Sequence, residues 1–196
     1  MHLASPGVEM EHFVASFAHG MKVADGLRLH FKRYKPGIGP HSERETVRLA
    51  LAHSGDPALE RARVEVPYPG APRLHCDTAT DTWAIEVKCL RMKRDNGDRE
   101  EYSPVAKILS PYPDDHSALT DVQKLSVSAF AGRKGVLIYG YDYDEWPMDP
   151  VIEAFEVLAS RFVSLKRAQP AAVPNLIHPY HRAGRVFGWE IASLGD

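Results

Sequence analysis

Residues 73–88 read RLHCDTATDTWAIEVK, two short apolar runs that are separated by a polar turn. Side chains alternate between the faces of a strand, so Glu86 and Lys88 share one face of the second run and the apolar residues beside them share the other. If residues 78–82 form the turn, the runs pair as an antiparallel hairpin that brings Asp77 close to Glu86 and Lys88. Two carboxylates beside an ammonium group are suited to holding Mg²⁺ and activating a water molecule for attack on phosphate.

The composition is that of an ordinary globular protein, with 44% hydrophobic and 26% charged residues among 196. No feature marks a boundary, so residues 1–196 are predicted to form a single domain. Lys plus Arg total 24 against 26 for Asp plus Glu, which gives a formal net charge of -2. Affinity for a polyanion must therefore come from local clusters of basic residues.

The two cysteines and the apolar segments predict where the protein resides. Cys76 and Cys89 lack the CxxC spacing of a metal or redox motif and fall on the packing sides of their strands. Reduced, buried thiols and a cytoplasmic location are expected. Charged residues interrupt the N-terminal segment, and no apolar run reaches 18 residues, so we expect neither secretion nor a membrane span.

Hydrophobic periodicity predicts helices over residues 8–23, 42–53, 117–132 and 149–166, and Gly20 is expected to shorten or end the first of them. Strands are predicted over residues 27–34, 63–68, 136–141 and 185–191, in addition to the hairpin. The order of these elements predicts an α/β fold with a central mixed β-sheet that is flanked by helices on both faces.

The helix over residues 42–53 begins with a capping box, since Glu45 follows the N-cap Ser42 by three residues. Val47 belongs to the packing stripe, and stepping back four residues from it places Glu43 on the same side. Glu45 lies opposite and is explained as a cap. Glu43 is therefore the candidate for an acid that faces inward, with a favourable interaction at the helix N-terminus as the alternative.

Across residues 42–143 this pattern resembles the PD-(D/E)XK nuclease superfamily, which has the restriction-endonuclease-like fold. The resemblance rests on an acidic helix, a strand, a hairpin with Asp77 and then Glu86-Val87-Lys88, a helix and a buried strand. A helix and strand precede this core, and a helix and strand follow it. The sequence departs from the family pattern at Cys76, where the motif name records Pro.

The resemblance implies a Mg²⁺-dependent endonuclease, with Mn²⁺ as a substitute, that hydrolyses phosphodiester bonds in DNA with a metal-activated water. Asp77, Glu86 and the main-chain carbonyl of Val87 would be the metal ligands. Lys88 would orient the water and stabilise charge on the phosphate. Glu43 would be the additional acid near the metal.

Basic residues beyond the hairpin are predicted to hold the DNA backbone: Arg91, Lys93 and Arg94. Lys124, next to Gln123, lies where the family often places auxiliary polar residues, with ordinary helix-surface chemistry as the alternative. A further set of cations is either a phosphate-facing patch or a solvated strand edge: Arg28, Lys32, Arg33 and Lys35.

Other interpretations stay open beside the endonuclease. A catalytically inactive nuclease-like subunit for DNA binding or assembly is suggested by the near-neutral charge and by the lack of a DNA-reading module. A small-molecule hydrolase could use the same carboxylates. Because one site of this kind cuts one strand, a homodimer is a further expectation, as is a protein partner in a larger DNA-processing system.

Overall fold

The computed structural model describes residues 9–101 and 103–193. In this part of the chain, seven strands form one sheet: β1 Arg63–Tyr68, β2 Ala71–Ala79, β3 Trp83–Leu90, β4 Arg133–Tyr141, β5 Val163–Arg167, β6 Ala171–Val173 and β7 Gly184–Ser193. The spatial order is β1-β2-β3-β4-β7-β5, and β6 also pairs with β7. Only β3 and β4 pair in parallel among these strands, so the sheet is mixed, as predicted.

Helices cover both faces of the sheet, which confirms the predicted α/β architecture. They are α1 Met10–Gly26, α2 Glu43–Ala52, α3 Pro57–Glu60, α4 Ala106–Leu109, α5 Ala118–Ser126 and α6 Asp149–Ala159, with a 3-10 turn at Pro113–Asp115. α1 and α2 pack with Leu137 and Tyr139 of β4, whereas α5 and α6 pack with Val136 and Ile138. The continuous apolar run of β4 is thus buried on both faces.

The prediction that Gly20 shortens or ends the first helix is wrong, because α1 continues through it to Gly26. Gly20 lies where α1 crosses α2, and a Cβ atom added there would be 1.9 Å from the carbonyl oxygen of Ala50. The glycine therefore permits a close approach of two helices. The predicted start at Val8 lies outside the described residues.

The predicted strand over residues 27–34 is also wrong, since these residues form turns and irregular backbone. Arg28 and Lys32 have positive φ angles of 54° and 55°, far from the extended backbone of a strand. The buried carboxylate of Asp25 accepts hydrogen bonds from the main-chain N–H groups of Ile38 and Ile177, which fixes the end of this loop.

Two predicted helices end early. α5 ends at Ser126 instead of reaching residue 132, and Lys134 donates to the carbonyl oxygens of Ser126 and Ser128 just beyond its end. α6 ends at Ala159 instead of reaching residue 166, because Val163–Arg167 pairs with β7 as strand β5. Pairing in the sheet thus overrides the local helical periodicity.

Two further expectations concern the cysteines and membrane-spanning helices. Cys76 and Cys89 are free thiols, and Cys76 is fully buried. Among the described residues, no helix combines the length and the apolar character needed to cross a membrane.

The crossing of α1 and α2 gives a test of the packing. Gly20→Ala should lower the free energy of unfolding by at least about 2 kcal/mol, because the added methyl group overlaps the α2 backbone. Gly26→Ala is the matched control, since a Cβ atom there would meet nothing within 4 Å. Urea denaturation measures both. Equal stability of the two variants would contradict the close crossing.

Candidate functional site

The site begins where the β2–β3 ladder stops. The antiparallel register pairs Thr78 with Ile85 and Ala79 with Ala84, and the turn between the strands is shorter than predicted. Beyond this point the Asp77 carboxylate accepts a hydrogen bond from the main-chain N–H of Val87 at 2.7 Å. Asp77 is therefore held directly against the backbone between Glu86 and Lys88.

Glu86 lies on the face of β3 that the alternation predicts, and it is 2% exposed. The Tyr68 hydroxyl at the end of β1 donates to its Oε1 atom. Lys124 Nζ of α5 lies 2.9 Å from the same oxygen. Burial raises the pKa of Glu86 to about 8, and the nearby carboxylates of Asp121 and Asp77 add to the effect.

Lys88 reaches from the same face of β3 toward two acids. Its Nζ atom lies 2.7 Å from Asp121 Oδ2 and 3.7 Å from Glu43 Oε1. Burial alone would lower the pKa of Lys88, but Glu43, Asp121 and Asp77 outweigh it, so the pKa is raised. Lys88 is therefore a cation at neutral pH, suited to stabilising negative charge rather than to accepting a proton.

Glu43 extends from the first turn of α2 to the end of β3. Its Oε2 atom accepts a hydrogen bond from the Cys89 main-chain N–H at 2.6 Å. The predicted N-cap is confirmed, because Ser42 Oγ accepts from the Glu45 N–H. The prediction that Glu45 completes the capping box is wrong, because its side chain pairs with Arg48. Burial raises the pKa of Glu43, partly offset by Lys88.

Sequence reasoning missed Asp121, which the structure places at the centre of the site. Asp121 is 2% exposed, and its two oxygens lie 2.7 Å from Lys88 Nζ and 2.8 Å from Lys124 Nζ. A signal was available, since Asp121 stands four residues before Leu125 on the packing stripe of α5. Tyr68 was also missed, and its contact with Glu86 depends on strand pairing that its local sequence does not reveal.

The six charged side chains of this region form what we call the acid–lysine cluster: Glu43, Asp77, Glu86, Lys88, Asp121 and Lys124. Four carboxylates face two ammonium groups, so the acids exceed the bases by two. Burial raises the pKa of Asp77, and Glu43 adds to this effect against the opposing charge of Lys88. The excess of buried negative charge can be balanced by protons or by a cation.

The donor set fits a hard divalent cation that keeps most of its waters. Asp77 and Glu86 supply two carboxylates, beside the peptide that links Glu86 to Val87. No group of three or more His, Cys, Asp or Glu side chains is arranged for a metal ion among the described residues. Mg²⁺ needs no such group, because it is commonly held by one or two carboxylates together with water and substrate phosphate.

The cations predicted to hold DNA are all paired with acids. Arg91 Nη1 lies 3.3 Å from Asp95 Oδ1 and donates to the Gly39 carbonyl oxygen. Lys93 lies 3.2 Å from Glu145, and Arg94 pairs with Glu100 and with Glu101 at 2.8 Å. Lys124 belongs to the acid–lysine cluster instead of a free helix surface. Binding of phosphate by these residues would have to displace their present partners.

A cleft of about 410 Å³ adjoins the cluster. It lies between the start of α2, the end of β3 and the segment that leads to α5. Its walls include Glu43 and Lys88 of the cluster and the following further residues: His41, Ser42, Cys89, Arg91, Glu100, Pro104, Lys107, Asp115 and His116. A ligand in the cleft would therefore meet the cluster at Glu43 and Lys88.

Comparison of the chain with protein-family models, with curated proteins and with solved structures found no match. The functional assignment therefore rests on the chain's own residues and their geometry.

The raised pKa of Glu86 predicts how stability depends on pH. In the unfolded chain the carboxyl has its ordinary pKa of 4.5, whereas burial in the fold raises this pKa to about 8. The folded state thus binds the extra proton, and the associated stability is present below pH 4.5 and is lost as the pH rises to 8. Glu86→Gln keeps a neutral side chain throughout this range.

We expect Glu86→Gln to gain stability over the wild type between pH 5 and pH 9 in metal-free buffer, by at least about 1 kcal/mol. Denaturant unfolding at several pH values measures this difference. Glu153→Gln on the exposed side of α6 is the control and should show no such trend. A constant difference between Glu86→Gln and the wild type across this range would contradict the buried, proton-binding carboxyl.

Proposed function

We propose that the protein is a metal-dependent endonuclease of the PD-(D/E)XK type that hydrolyses phosphodiester bonds in DNA. The observation that carries this proposal is the contact of the Asp77 carboxylate with the Val87 N–H, which sets Asp77 beside Glu86 and Lys88. Residue types, spacing and hairpin geometry agree with what the sequence resemblance implies. The free thiols are consistent with the cytoplasmic setting that we include in the proposal.

Each residue of the site has its own role in the proposed reaction. Asp77, Glu86 and the Val87 carbonyl would hold Mg²⁺ or Mn²⁺, which when bound would polarise a phosphate oxygen and lower the pKa of a water molecule. Lys88 carries a positive charge at the wall of the cleft and stabilises the negative charge that grows on the phosphate. Glu43 holds the Cys89 N–H and so fixes the end of β3 beside Lys88.

Lys88→Ala should lower the rate of plasmid or oligonucleotide cleavage in Mg²⁺ or Mn²⁺ by at least about 100-fold, because it removes the one cluster cation at the cleft wall. Lys166→Ala, an exposed lysine of β5, is the control and should cleave at the wild-type rate. Circular dichroism verifies that both variants fold. Cleavage by Lys88→Ala at the wild-type rate would exclude the assignment.

A second candidate is a nuclease-like subunit that binds DNA or assembles with partners without cutting. It is favoured by Lys124, whose ammonium group lies 2.9 Å from Glu86 Oε1 and 2.8 Å from Asp121 Oδ1. This lysine already balances part of the negative charge that a metal ion would balance. In an inactive site, such a lysine can take the place of the cation permanently.

Titration calorimetry with Mn²⁺ separates the two candidates. The endonuclease should bind Mn²⁺, and Asp77→Ala should abolish this binding by removing one of two carboxylate ligands. Asp81→Ala is the matched control, because Asp81 is an exposed acid in the same hairpin. Wild-type protein that binds no Mn²⁺, or binding that survives Asp77→Ala, would favour the non-cutting subunit.

A further inference from the structure

The cleft beside the acid–lysine cluster continues into a second cavity. The second cavity measures about 550 Å³ and is lined by seven residues: Arg33, Tyr34, Arg91, Arg94, Asp95, Asn96 and Glu100. Arg91 and Glu100 line both cavities. The two cavities therefore meet at these side chains and form one groove, which leads from Lys88 to the loop that follows α1.

Two cations on the groove form no ion pair among the described residues, although the charge of Lys107 lowers the pKa of Glu43. Lys107 is exposed on α4 near the cluster end, and Arg33 is exposed on the loop at the far end. The groove cations Lys88, Arg91 and Arg94 are instead held in ion pairs. Lys107 and Arg33 are thus available to phosphate without breaking an existing ion pair.

Two side-chain rings line the groove and are suited to contacts with the bases of a nucleic acid. Tyr34 lines the far cavity and lies close to parallel with Phe31, at 13°. His41 lines the near cavity and is 7% exposed. The His41 ring lies 5.3 Å from the Phe31 ring, centroid to centroid, and also interacts with the Leu29 backbone. Each cavity thus has an aromatic ring at its wall.

The depth of the reactive groups decides which form of DNA fits. The side chain of Lys88 at the cleft wall is 12% exposed, so a phosphate must come into the cleft to reach it. A duplex presents its phosphates on the outside of a wide, stiff rod. A single strand is thinner and flexible, and binding sites for it combine a basic groove with aromatic rings on which bases stack.

We propose that this groove binds single-stranded DNA, with Lys107 and Arg33 on successive parts of the phosphate backbone and Tyr34 against a base. The inference rests on the proposed function and deepens it, since it makes an unpaired strand the substrate. The strand runs from Lys88 past Arg91 to the loop of residues 27–41.

The test is binding of labelled oligonucleotides, followed by fluorescence anisotropy without divalent cations so that no cleavage occurs. Single-stranded DNA should bind more tightly than a duplex or an RNA of the same length. Arg33→Ala combined with Lys107→Ala should weaken this binding. The double variant should also flatten the plot of log affinity against log salt by about 0.7 for each lost phosphate contact.

Arg161→Ala combined with Lys166→Ala is the matched control, because it removes the same two charges from exposed positions off the groove. Tyr34→Ala should weaken binding at least about fivefold, while Tyr34→Phe keeps the stacking ring and the affinity. Equal affinities of the two double variants, or tighter binding of duplex or RNA, would overturn the inference. Thermal unfolding verifies that every variant folds.

The failure of this inference is distinguishable from failure of the proposed function. Cleavage by the wild type together with equal binding by the two double variants would overturn the groove alone. Loss of binding in Arg33→Ala combined with Lys107→Ala, with no cleavage by the wild type, would support the groove and exclude the endonuclease.

Discussion

The hydrogen bond from the Val87 amide to the Asp77 carboxylate determines where the hairpin ends and the site begins. Up to Thr78 and Ile85, main-chain groups pair across the two strands. Two residues after Ile85, the Val87 N–H of β3 instead donates to the side chain of Asp77. This contact holds the Asp77 carboxylate close to Glu86 and to the positive charge of Lys88. The rest of the site is arranged around this point, because α2 places the partly exposed Glu43 and α5 the buried Asp121 on the same short segment of β3.

Burying four acids with two lysines costs stability, and the raised pKa of Glu86 expresses that cost. Perturbed pKa values of this kind are common at sites that bind a charged ligand, because the ligand neutralises the excess charge. The Lys124 ammonium group has two opposing effects at Glu86. It stabilises Glu86, and the same contact would compete with the proposed cation for the carboxylate. Displacement of the Lys124 ammonium group by a cation would distinguish a metal-binding site from a purely structural one.

Local signals account for the parts of the fold and site that could be predicted. The N-cap at Ser42, the alternation around Glu86 and the apolar run of β4 are each set by neighbours in sequence. The failures are non-local: β5 exists because β7 pairs with it, and Asp25 at the end of α1 bonds to the distant Ile177 as well as to Ile38 of the loop. Asp121 could have been predicted, because the helical spacing that places Glu43 on the packing side of α2 also places Asp121 on the packing side of α5.

Pairing, rather than the number of cations, decides which basic residues can meet a phosphate. The sequence concentrates cations just after the hairpin, but acids alternate with them there, and Arg94 lies between Glu100 and Glu101. Lys107 and Arg33 stand apart in sequence, and the fold brings both to one groove. A net charge of -2 is therefore compatible with the proposed nucleic-acid path, because acids neutralise Arg91 and Arg94 locally while Lys107 and Arg33 form no ion pair among the described residues.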